Sequence, residues 1–410
     1  MSRQFSINGR SYMPSSQPVV VVCLDGSPDK YLDSAIRRGL MPRLQSMIDR
    51  GYRGQARAAL PSFTNTNNMS IVTGVPPSVH GISGNFFRDS ETGEEVMMNS
   101  PRYLRAETIF AAASRAGCRV ATVTSKDKLR EMFAAGVDGI SFSAERANEA
   151  QRDTHGIDTV EALVGAPTPD VYSAEASLFV LRAGVALLEH DLADFVYLST
   201  TDYIQHKHGS EDPIALEFYA AIDTELGRLV DVGAIVGVTS DHGMNAKHND
   251  AGEPNIIPLE SILAAQFGND VRVILPITDP YVVHHGALGS FALVHARVAQ
   301  QVEEMFPHVA AIEGVTEVYR RAEAAEKLEL PADRIGDLVV LSGRDWTIGR
   351  RLENHDLTHV ADGLRSHGGR EEEVVPFIIS EPLNPQYAES ARGDVRNFDI
   401  FDFTVNGSLK

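Results

Sequence analysis

The chain has 410 residues, and 56 Asp and Glu residues against 37 Lys and Arg residues give it a formal net charge of −19. Such an acidic balance argues against nucleic acid and anionic membrane as partners, because both are bound through basic surfaces. The hydrophobic fraction of 43% is ample for a core, and the length suits one large α/β domain with an insertion, or two domains.

The cysteine content indicates a reducing compartment. Only Cys23 and Cys118 occur, each in or beside an apolar run where a buried thiol is expected. Neither has a second cysteine at metal-binding spacing, so any metal would be bound by nitrogen and oxygen ligands. No apolar run approaches the roughly 18 residues of a membrane span. Because the first 18 residues also lack a signal-peptide pattern, we expect a cytoplasmic location.

The first 248 residues alternate apolar runs, which predict strands, with segments of helical periodicity. After an irregular leader, the predicted elements in order are a strand at 19–26, a helix at 34–50, a loop and short helix at 60–74, a helix at 105–117, a strand at 119–128, a helix at 174–190, a strand beginning at 194, a helix at 213–231 and a strand at 234–238. This alternation predicts an α/β fold with a mostly parallel central sheet flanked by helices.

Four of the predicted strands end in side chains suited to a functional site, namely Asp25, Lys126, Asp202 and Asp241. Open α/β sheets bind their ligands at the carboxyl ends of the strands, where these side chains would gather. One such ending is unremarkable, but four together predict a site.

The pattern changes between about residues 249 and 360, where short strands alternate with acidic helical segments. Strands are expected at 271–276, 291–296 and 315–320, and a helix at 321–329. We interpret 249–360 as a small α+β cap inserted into a catalytic core formed by 1–248 and 361–410, with a further core strand at 371–380. His248, His284 and His285 fall outside the site pattern and are expected at the surface or in the cap.

The segment TSDHG (239–243) brings Asp241 and His242 together at a strand end, and Gly243 lets the chain turn away. A carboxylate oxygen and an imidazole nitrogen that converge there suit a divalent transition metal, above all zinc. Asp25 would join this set. On local sequence alone, an Asp–His pair that caps the next helix is about as good an interpretation.

A second ligand set is predicted from Asp202 and His206, which face the same way if 202–206 form a helical turn. His367, between a serine and two glycines, would complete a carboxylate–His–His set with an open position, as in catalytic zinc sites. Judged alone, a glycine-flanked histidine is more often a loop residue. His208 should point elsewhere, as a solvated loop residue.

Thr64 can supply the ligand that the first set lacks, because PSFTNTNN (61–68) places it where the chain turns into a helix. A helix N-terminus binds anions, and a hydroxyl bound to a metal loses its proton readily. Helix capping is the alternative role. Ser62 and Thr66 remain rival nucleophiles on this local reasoning.

Three further side chains are candidates for binding an anionic substrate. Lys126 and Lys128 would share a face of an extended segment, and in so acidic a chain two lysines at a strand end favour an anionic ligand over a solvated pair. Asn85, in a glycine-rich loop, can donate to a phosphoryl oxygen. Two metals about 4 Å apart would clamp the attacking and leaving oxygens of that group.

Together these residues resemble the alkaline phosphatase superfamily of two-zinc phosphoryl-transfer enzymes. The resemblance is carried by Asp25, PSFT–NN with Thr64, TTDYIQH (200–206), TSDHGM (239–244) and SHGG (366–369). Within the superfamily, the chain is similar to the phosphonoacetate hydrolases in the segments LDGSPDKYL (24–32), TNTNNMSIVTGVPPSVHGISGN (64–85), EEVMMN (94–99) and TSKDKLR (124–130).

The resemblance implies two Zn²⁺ ions per chain, one bound by Asp25, Thr64, Asp241 and His242 and the other by Asp202, His206 and His367. It also implies that Thr64 attacks phosphorus and becomes phosphothreonine, while phosphonoacetate is cleaved to acetate and phosphate. The implied substrate contacts come from Thr64, Asn85, Lys126, Lys128, His206 and His367.

Three other functions stay open at this point. A phosphodiesterase or nucleotide pyrophosphatase would use the same two-zinc core, and a phosphoglycerate-mutase-like transferase is a weaker alternative. A metal-dependent binding protein without chemistry belongs to a different class, and a candidate nucleophile argues against it. We expect a small-molecule phosphonate as partner, no nucleic acid and no membrane, and allow for a homodimer.

Overall fold

The computed structural model describes residues 3–279, 286–358, 360 and 363–409. Its strands are β1 (Phe5–Ile7), β2 (Arg10–Tyr12), β3 (Val19–Cys23), β4 (Tyr52–Arg57), β5 (Phe86–Arg88), β6 (Glu95–Met97), β7 (Val120–Thr124), β8 (Ile140–Ser143), β9 (Phe195–Ser199), β10 (Ile235–Thr239), β11 (Asn245–Ala246), β12 (Ile256–Pro258), β13 (Arg272–Ile274), β14 (Phe291–His295), β15 (Val315–Arg320), β16 (Leu338–Ser342), β17 (Thr347–Gly349), β18 (Arg365–Ser366) and β19 (Val374–Ile379). Its helices are α1 (Asp29–Arg37), α2 (Pro42–Arg50), α3 (Thr64–Thr73), α4 (Pro77–His80), α5 (Ile109–Arg115), α6 (Arg130–Phe133), α7 (Arg152–His155), α8 (Val160–Val164), α9 (Ala174–Glu189), α10 (Tyr203–Lys207), α11 (Pro213–Asp231), α12 (Leu259–Phe267), α13 (Ala299–Ala310), α14 (Arg321–Lys327), α15 (Pro385–Ser390) and α16 (Ile400–Asp402).

The central sheet contains seven strands in the described part of the chain, in the order β4-β19-β10-β3-β9-β7-β8. The five strands from β10 to β8 are parallel to one another, and β19 runs antiparallel to both of its neighbours. The predicted α/β fold with a mostly parallel sheet is therefore confirmed.

Hydrophobic layers cover both faces of the central sheet, as the uninterrupted apolar run of β3 predicts. Val20 and Val22 point into one layer, with α9 and α11, while Val19, Val21 and Cys23 point into the other. Side chains alternate in this way because successive residues of a strand face opposite sides. With both faces of the sheet covered, the ends of its strands are left to bind a ligand.

A second sheet forms in the region predicted to be a cap. Within the described residues its order is β13-β14-β16-β15, all antiparallel, and it packs with α12 to α14 around its own hydrophobic cluster. Phe63, which precedes Thr64, is buried in this cluster. His284 and His285 lie outside the described residues.

Some predicted elements differ from the observed ones. The helix expected at 34–50 is two helices, α1 and α2, because Gly39 adopts a positive φ of 71° and Pro42 starts a new helix. The irregular leader contains the β1–β2 hairpin. Within the described residues, no helix has the length and apolar character that crossing a bilayer requires.

The largest difference for the site concerns the lysine segment. The strand expected at 119–128 ends at Thr124, and Asp127–Leu129 form a 3₁₀ helix. The prediction that Lys126 and Lys128 share the face of an extended segment is therefore wrong. Of the two lysines, Lys126 has extended backbone angles and Lys128 lies in the 3₁₀ helix.

Candidate active site

Three neighbouring parallel strands deliver three carboxylates to one edge of the sheet. Cys23 of β3 is level with Thr239 of β10 and with Ser199 of β9, so the strands end together. Asp25, Asp241 and Asp202 follow these ends by two or three residues, and each is at least 97% buried. The structure thus brings together the strand-end carboxylates that the sequence predicts.

The first predicted ligand set is compact. His242 Nε2 lies 3.2 Å from Asp25 Oδ1 and 3.6 Å from Asp241 Oδ2. The potential ligand atoms of these three residues all lie within 4.8 Å of one another. Thr64 Oγ1 approaches the same His242 Nε2 at 3.4 Å, so the hydroxyl belongs to this set as well.

The second predicted set adjoins the first. Asp202 is the N-cap residue of α10, and the resulting turn places His206 Nε2 2.9 Å from Asp202 Oδ2. His367 Nε2 lies 3.7 Å from the same oxygen. The rings of His367 and His242 stack with centroids 3.5 Å apart, and Asp202, His242 and His367 also have ligand atoms within 4.8 Å of one another. The two sets form one continuous cluster with His242 between them.

Backbone carbonyls fix the orientation of all three imidazoles. Nδ1 of His206 donates to the carbonyl of Arg365, Nδ1 of His242 to that of Gly243, and Nδ1 of His367 to that of Ser62, each at 2.8 Å. Because a carbonyl oxygen only accepts, each Nδ1 carries the hydrogen, and in the neutral ring Nε2 carries the lone pair. This is the arrangement by which proteins orient metal-ligating histidines.

The electrostatics of the cluster reflect mutual repulsion among buried carboxylates. Burial and the Asp202 and Asp241 carboxylates raise the pKa of Asp25 to about 8. Burial opposes protonation of His242, but Asp241 and Asp25 outweigh it and raise the pKa of that ring to about 10.

At the other end of the cluster the shifts have the opposite sign. Burial acts against ionisation of Asp202, yet His206 and Lys126 hold the pKa of this carboxyl well below its usual range. Burial and the neighbouring His242 lower the pKa of His367 well below the ordinary value. Ionised Asp202 and neutral His367 are the forms in which these side chains bind a metal.

The donor set fits a divalent metal. Asp25 Oδ1 is buried and lies 3.2 Å from His242 Nε2, yet it accepts no hydrogen bond of regular geometry among the described residues, which is costly for a carboxylate oxygen. A divalent cation would satisfy this oxygen and neutralise the repulsion that raises the pKa of Asp25. Nitrogen and carboxylate donors without a thiolate suit zinc and similar ions.

Thr64 is the first residue of α3, and the N-cap residue is Phe63, so the helix-capping alternative is wrong. The Ser62 hydroxyl is engaged as a donor to the carbonyl of Gly369 at 2.9 Å. Thr66 lies two residues further along α3, about 200° around the helix from Thr64. Of the three candidate nucleophiles, the structure places Thr64 against the cluster.

Asn85 is oriented toward the same helix end. Its Oδ1 accepts a hydrogen bond of 3.0 Å from the backbone N–H of Asn65, the second residue of α3. Its Nδ2 therefore remains a donor for a ligand at this N-terminus, where the partial positive charge of the helix also attracts anions. The side chain is buried.

The two lysines have different carboxylate partners. Lys126 Nζ lies 3.7 Å from Asp202 Oδ1, whereas Lys128 Nζ lies 2.6 Å from Asp279 Oδ2. Burial opposes the charge on Lys126, but Asp202 and Asp25 outweigh it and raise the pKa of this lysine. Both lysines line a cavity of about 280 Å³ together with Asn99, Tyr172 and Asp279. We call this cavity the lysine pocket.

Two features of the site were not predicted from the sequence. Asn68 Nδ2 donates to Asp241 Oδ2 at 3.2 Å, and its Oδ1 accepts from Tyr197 and Ser199, so this amide braces a candidate ligand. The density of polar residues in the short helix TNTNNMS was the available signal. Gly26 has a positive φ of 64°, and a Cβ there would lie 2.7 Å from Asp202 Cβ.

Two histidines that are predicted to lie outside the site, His208 and His248, do so in the structure. His208 ends α10 and faces Asp212 Oδ2 at 3.0 Å rather than the cluster. His248 bonds the carbonyl of Asn249 at the surface. A larger cavity, of about 990 Å³, lies beside β6 and β13 and contains none of the predicted site residues.

Comparisons with known proteins agree with this architecture. A family model described as type I phosphodiesterase / nucleotide pyrophosphatase matches residues 19–370. Two solved structures of phosphonoacetate hydrolase from Sinorhizobium meliloti 1021, one in complex with phosphonoformate and one with phosphonoacetate, are each 46% identical to this chain, with 100% of both chains covered and a TM-score of 0.94. The resemblance predicted from the motifs is confirmed.

The curated relatives are more distant. An uncharacterized pyrophosphatase/phosphodiesterase of Schizosaccharomyces pombe is 33% identical over 122 residues, which are 28% of this chain. Mouse ectonucleotide pyrophosphatase/phosphodiesterase family member 1 is 25% identical over 247 residues, or 56% of this chain. Each match covers 24% of the relative, so the chain spans about a quarter of the length of these proteins.

Proposed function

The chain belongs to the type I phosphodiesterase / nucleotide pyrophosphatase family, and we propose that it hydrolyses the carbon–phosphorus bond of phosphonoacetate to acetate and phosphate. The observation that carries this proposal is the Thr64 hydroxyl 3.4 Å from His242 in a buried Asp/His cluster, whose Asp202 also faces Lys126 of the lysine pocket at 3.7 Å. The full-length similarity to a phosphonoacetate hydrolase supports the choice of substrate.

We propose that the metals are two zinc ions, one held by Asp25, Thr64, Asp241 and His242 and the other by Asp202, His206 and His367. When bound, such ions supply positive charge that lowers the pKa of a hydroxyl and stabilises charge on phosphoryl oxygens. The roles of the chain's own side chains follow from their positions.

In the proposed reaction, Thr64 Oγ1 forms a bond to phosphorus as the carbon–phosphorus bond breaks. The electron pair of that bond passes to the methylene carbon, where the carboxylate delocalises it, and the carbon takes up a proton to give acetate. Water then attacks the phosphothreonine, which releases phosphate and restores the hydroxyl. The sum is phosphonoacetate plus water giving acetate plus phosphate.

Five side chains contact the substrate in this scheme. Asn85 Nδ2 donates to a phosphoryl oxygen at the N-terminus of α3, as the bond from Asn65 to its Oδ1 favours. Lys126 and Lys128 bind the substrate carboxylate. They stabilise the negative charge that spreads onto it as the carbon–phosphorus bond breaks, because a carbanion without such stabilisation is a very poor leaving group. His206 and His367 border the phosphonate.

Phosphate release from phosphonoacetate, with and without a chelator, tests the proposed function. We expect steady release by the untreated enzyme and loss of release after chelation, with recovery when zinc is added. Methylphosphonate is the matched control substrate, because its leaving carbanion has no carboxylate to accept the charge. Equal rates on the two phosphonates would contradict the proposed mechanism.

Replacing Lys126 with alanine should affect substrates according to whether they carry a carboxylate. We expect kcat/KM for phosphonoacetate to fall about 100-fold, since one buried charge-assisted contact is lost. The loss for an aryl phosphate ester should stay below about 10-fold. Lys327→Ala, at an exposed position on α14, is the control for general effects of charge removal. Equal losses on both substrates would mean that Lys126 only supports the fold.

A nucleotide phosphodiesterase or pyrophosphatase activity is the second candidate, because the matching family carries that description. Such a substrate would need a slot for its base, whereas the lysine pocket is lined by charged groups and the single ring of Tyr172. Assay of p-nitrophenyl thymidine phosphate beside phosphonoacetate separates the two activities. We expect the phosphonate to be the better substrate by kcat/KM.

We also propose that 249–360 form a cap inserted into a core of 1–248 and 361–410. The separate hydrophobic cluster of the second sheet supports this division. Limited proteolysis that cuts first near 249 or 360 would support it too. A cytoplasmic location is proposed from the two buried free thiols, Cys23 and Cys118.

A further inference from the structure

One short segment, Leu275–Asp279, touches two of the candidate substrate-binding groups. It follows β13, in the region of the second sheet, and is held in a turn by a bond from Thr278 N–H to the carbonyl of Leu275. The carbonyl of Pro276 accepts from the backbone N–H of Asn85 at 2.8 Å. Three residues later, Asp279 Oδ2 accepts from Lys128 Nζ at 2.6 Å.

Lys128 and Asp279 form a largely buried ion pair that lines the lysine pocket. The side chains are 13% and 2% exposed, and 151 residues of chain separate them. A free lysine side chain samples many rotamers, and fixing it has an entropic cost. Asp279 lies on a segment that is anchored by the hydrogen bond at Pro276. Its carboxylate therefore restricts the rotamers of Lys128 before a substrate binds.

We propose that Asp279 is a positioning residue that holds the Lys128 ammonium toward the carboxylate of the substrate, and so sets the preference for phosphonates that carry a second acidic group. An ammonium has three N–H donors. Asp279 accepts from one of them, which leaves the others for the substrate. The inference rests on the proposed function, since it assigns the substrate carboxylate to Lys128.

The two lysines of the pocket therefore have matched partners. Lys126 faces Asp202, which follows β9 of the central sheet, at 3.7 Å, and Lys128 faces Asp279, which follows β13, at 2.6 Å. Each acid lies beside one lysine ammonium, so the positions of both cations are set by carboxylates of the chain before a substrate binds.

The test uses zinc-loaded full-length enzyme and the variants Asp279→Ala and Asp279→Glu. Kinetics on phosphonoacetate give KM and kcat, and calorimetry gives Kd for phosphonoformate and methylphosphonate. For Asp279→Ala we expect KM and the phosphonoformate Kd to rise about tenfold, the effect of one charge-assisted contact. The methylphosphonate Kd should change less than about twofold, and Asp279→Glu should recover most of the loss.

A double-mutant cycle shows whether Asp279 acts through Lys128. In a Lys128→Ala background, Asp279→Ala should add less than about twofold to KM, because the group that it positions is already absent. Asp333→Ala is the matched control. Like Asp279, Asp333 is a residue of the 249–360 region that pairs with a basic residue of the first 248 residues, Arg105, at 2.9 Å, but it does not line the lysine pocket. This variant should leave both Kd values unchanged.

The outcomes separate the inference from the proposed function. Equal weakening of phosphonoformate and methylphosphonate binding, or full additivity with Lys128→Ala, overturns the positioning role. Unchanged binding of phosphonoformate overturns it as well. If wild-type enzyme releases no phosphate from phosphonoacetate, the proposed function fails, while the two Kd values still decide whether Asp279 favours ligands with a second acidic group.

Discussion

Replacing Thr64 with alanine should reduce turnover of phosphonoacetate by at least about 10⁴-fold, because loss of a hydrolase nucleophile costs about 10⁶-fold where it has been measured. The variant removes the only hydroxyl among the three candidates that approaches the cluster, at 3.4 Å from His242 Nε2. Phosphate release in single and multiple turnover gives the rate, and elemental analysis gives the metal content, which we expect to be largely retained.

Thr64→Ser is the matched control for this variant. It keeps the hydroxyl on the first turn of α3 and should retain measurable turnover, reduced only by the looser rotamer of serine. Rapid acid quench of the wild-type enzyme should trap phosphate on Thr64. Wild-type turnover in Thr64→Ala would instead place the nucleophile on another group, and the chemistry assigned to the end of α3 would be wrong.

Replacing His367 with alanine should reduce kcat/KM by at least about 10³-fold, since even removal of a residue that only supports a metal ligand costs 10- to 100-fold. His367 contacts Asp202 Oδ2 at 3.7 Å and stacks on His242, so the change also opens the centre of the cluster. Turnover of phosphonoacetate and the metal content of the purified variant are the measurements, and both should fall.

His208→Ala is the control that distinguishes a ligand from a nearby histidine. His208 is two residues beyond His206 but faces Asp212 rather than the cluster. We expect its replacement to leave metal content unchanged and kcat/KM within about twofold of wild type. A large loss in His208→Ala, or none in His367→Ala, would mean that the residues chosen from sequence do not form the metal site.

The strand-end carboxylates could be predicted from the sequence because their signal is local. Each apolar run that precedes Asp25, Asp202 or Asp241 predicts a buried parallel strand, and parallel strands end at one edge. The spacing of Asp202 and His206 similarly predicts the single turn of α10 that aligns them. What the local signal does not contain is the strand order β10-β3-β9, which makes the three carboxylates neighbours.

The positions of the two lysines could not be predicted from the local sequence. The sequence pattern predicts Lys126 and Lys128 on one face of a strand. In the structure a 3₁₀ helix follows Lys126, and the hydrophobic periodicity of the segment does not predict that helix. The partner of Lys128 is 151 residues distant, on a segment whose path depends on a second sheet. The role of Asn68 could not be predicted for the same reason. Its amide hydrogen-bonds Asp241 and Tyr197, which are distant in sequence and are brought to it by tertiary packing.

Gly26 limits how the Asp/His cluster can be redesigned. The first atom of any side chain at position 26 would lie 2.7 Å from Asp202 Cβ, so the two halves of the cluster are spaced by bare main chain. Longer or shorter ligands can change which ion is preferred, but they cannot reset that spacing. Variants that alter the proposed metal ligands should therefore keep glycine at position 26.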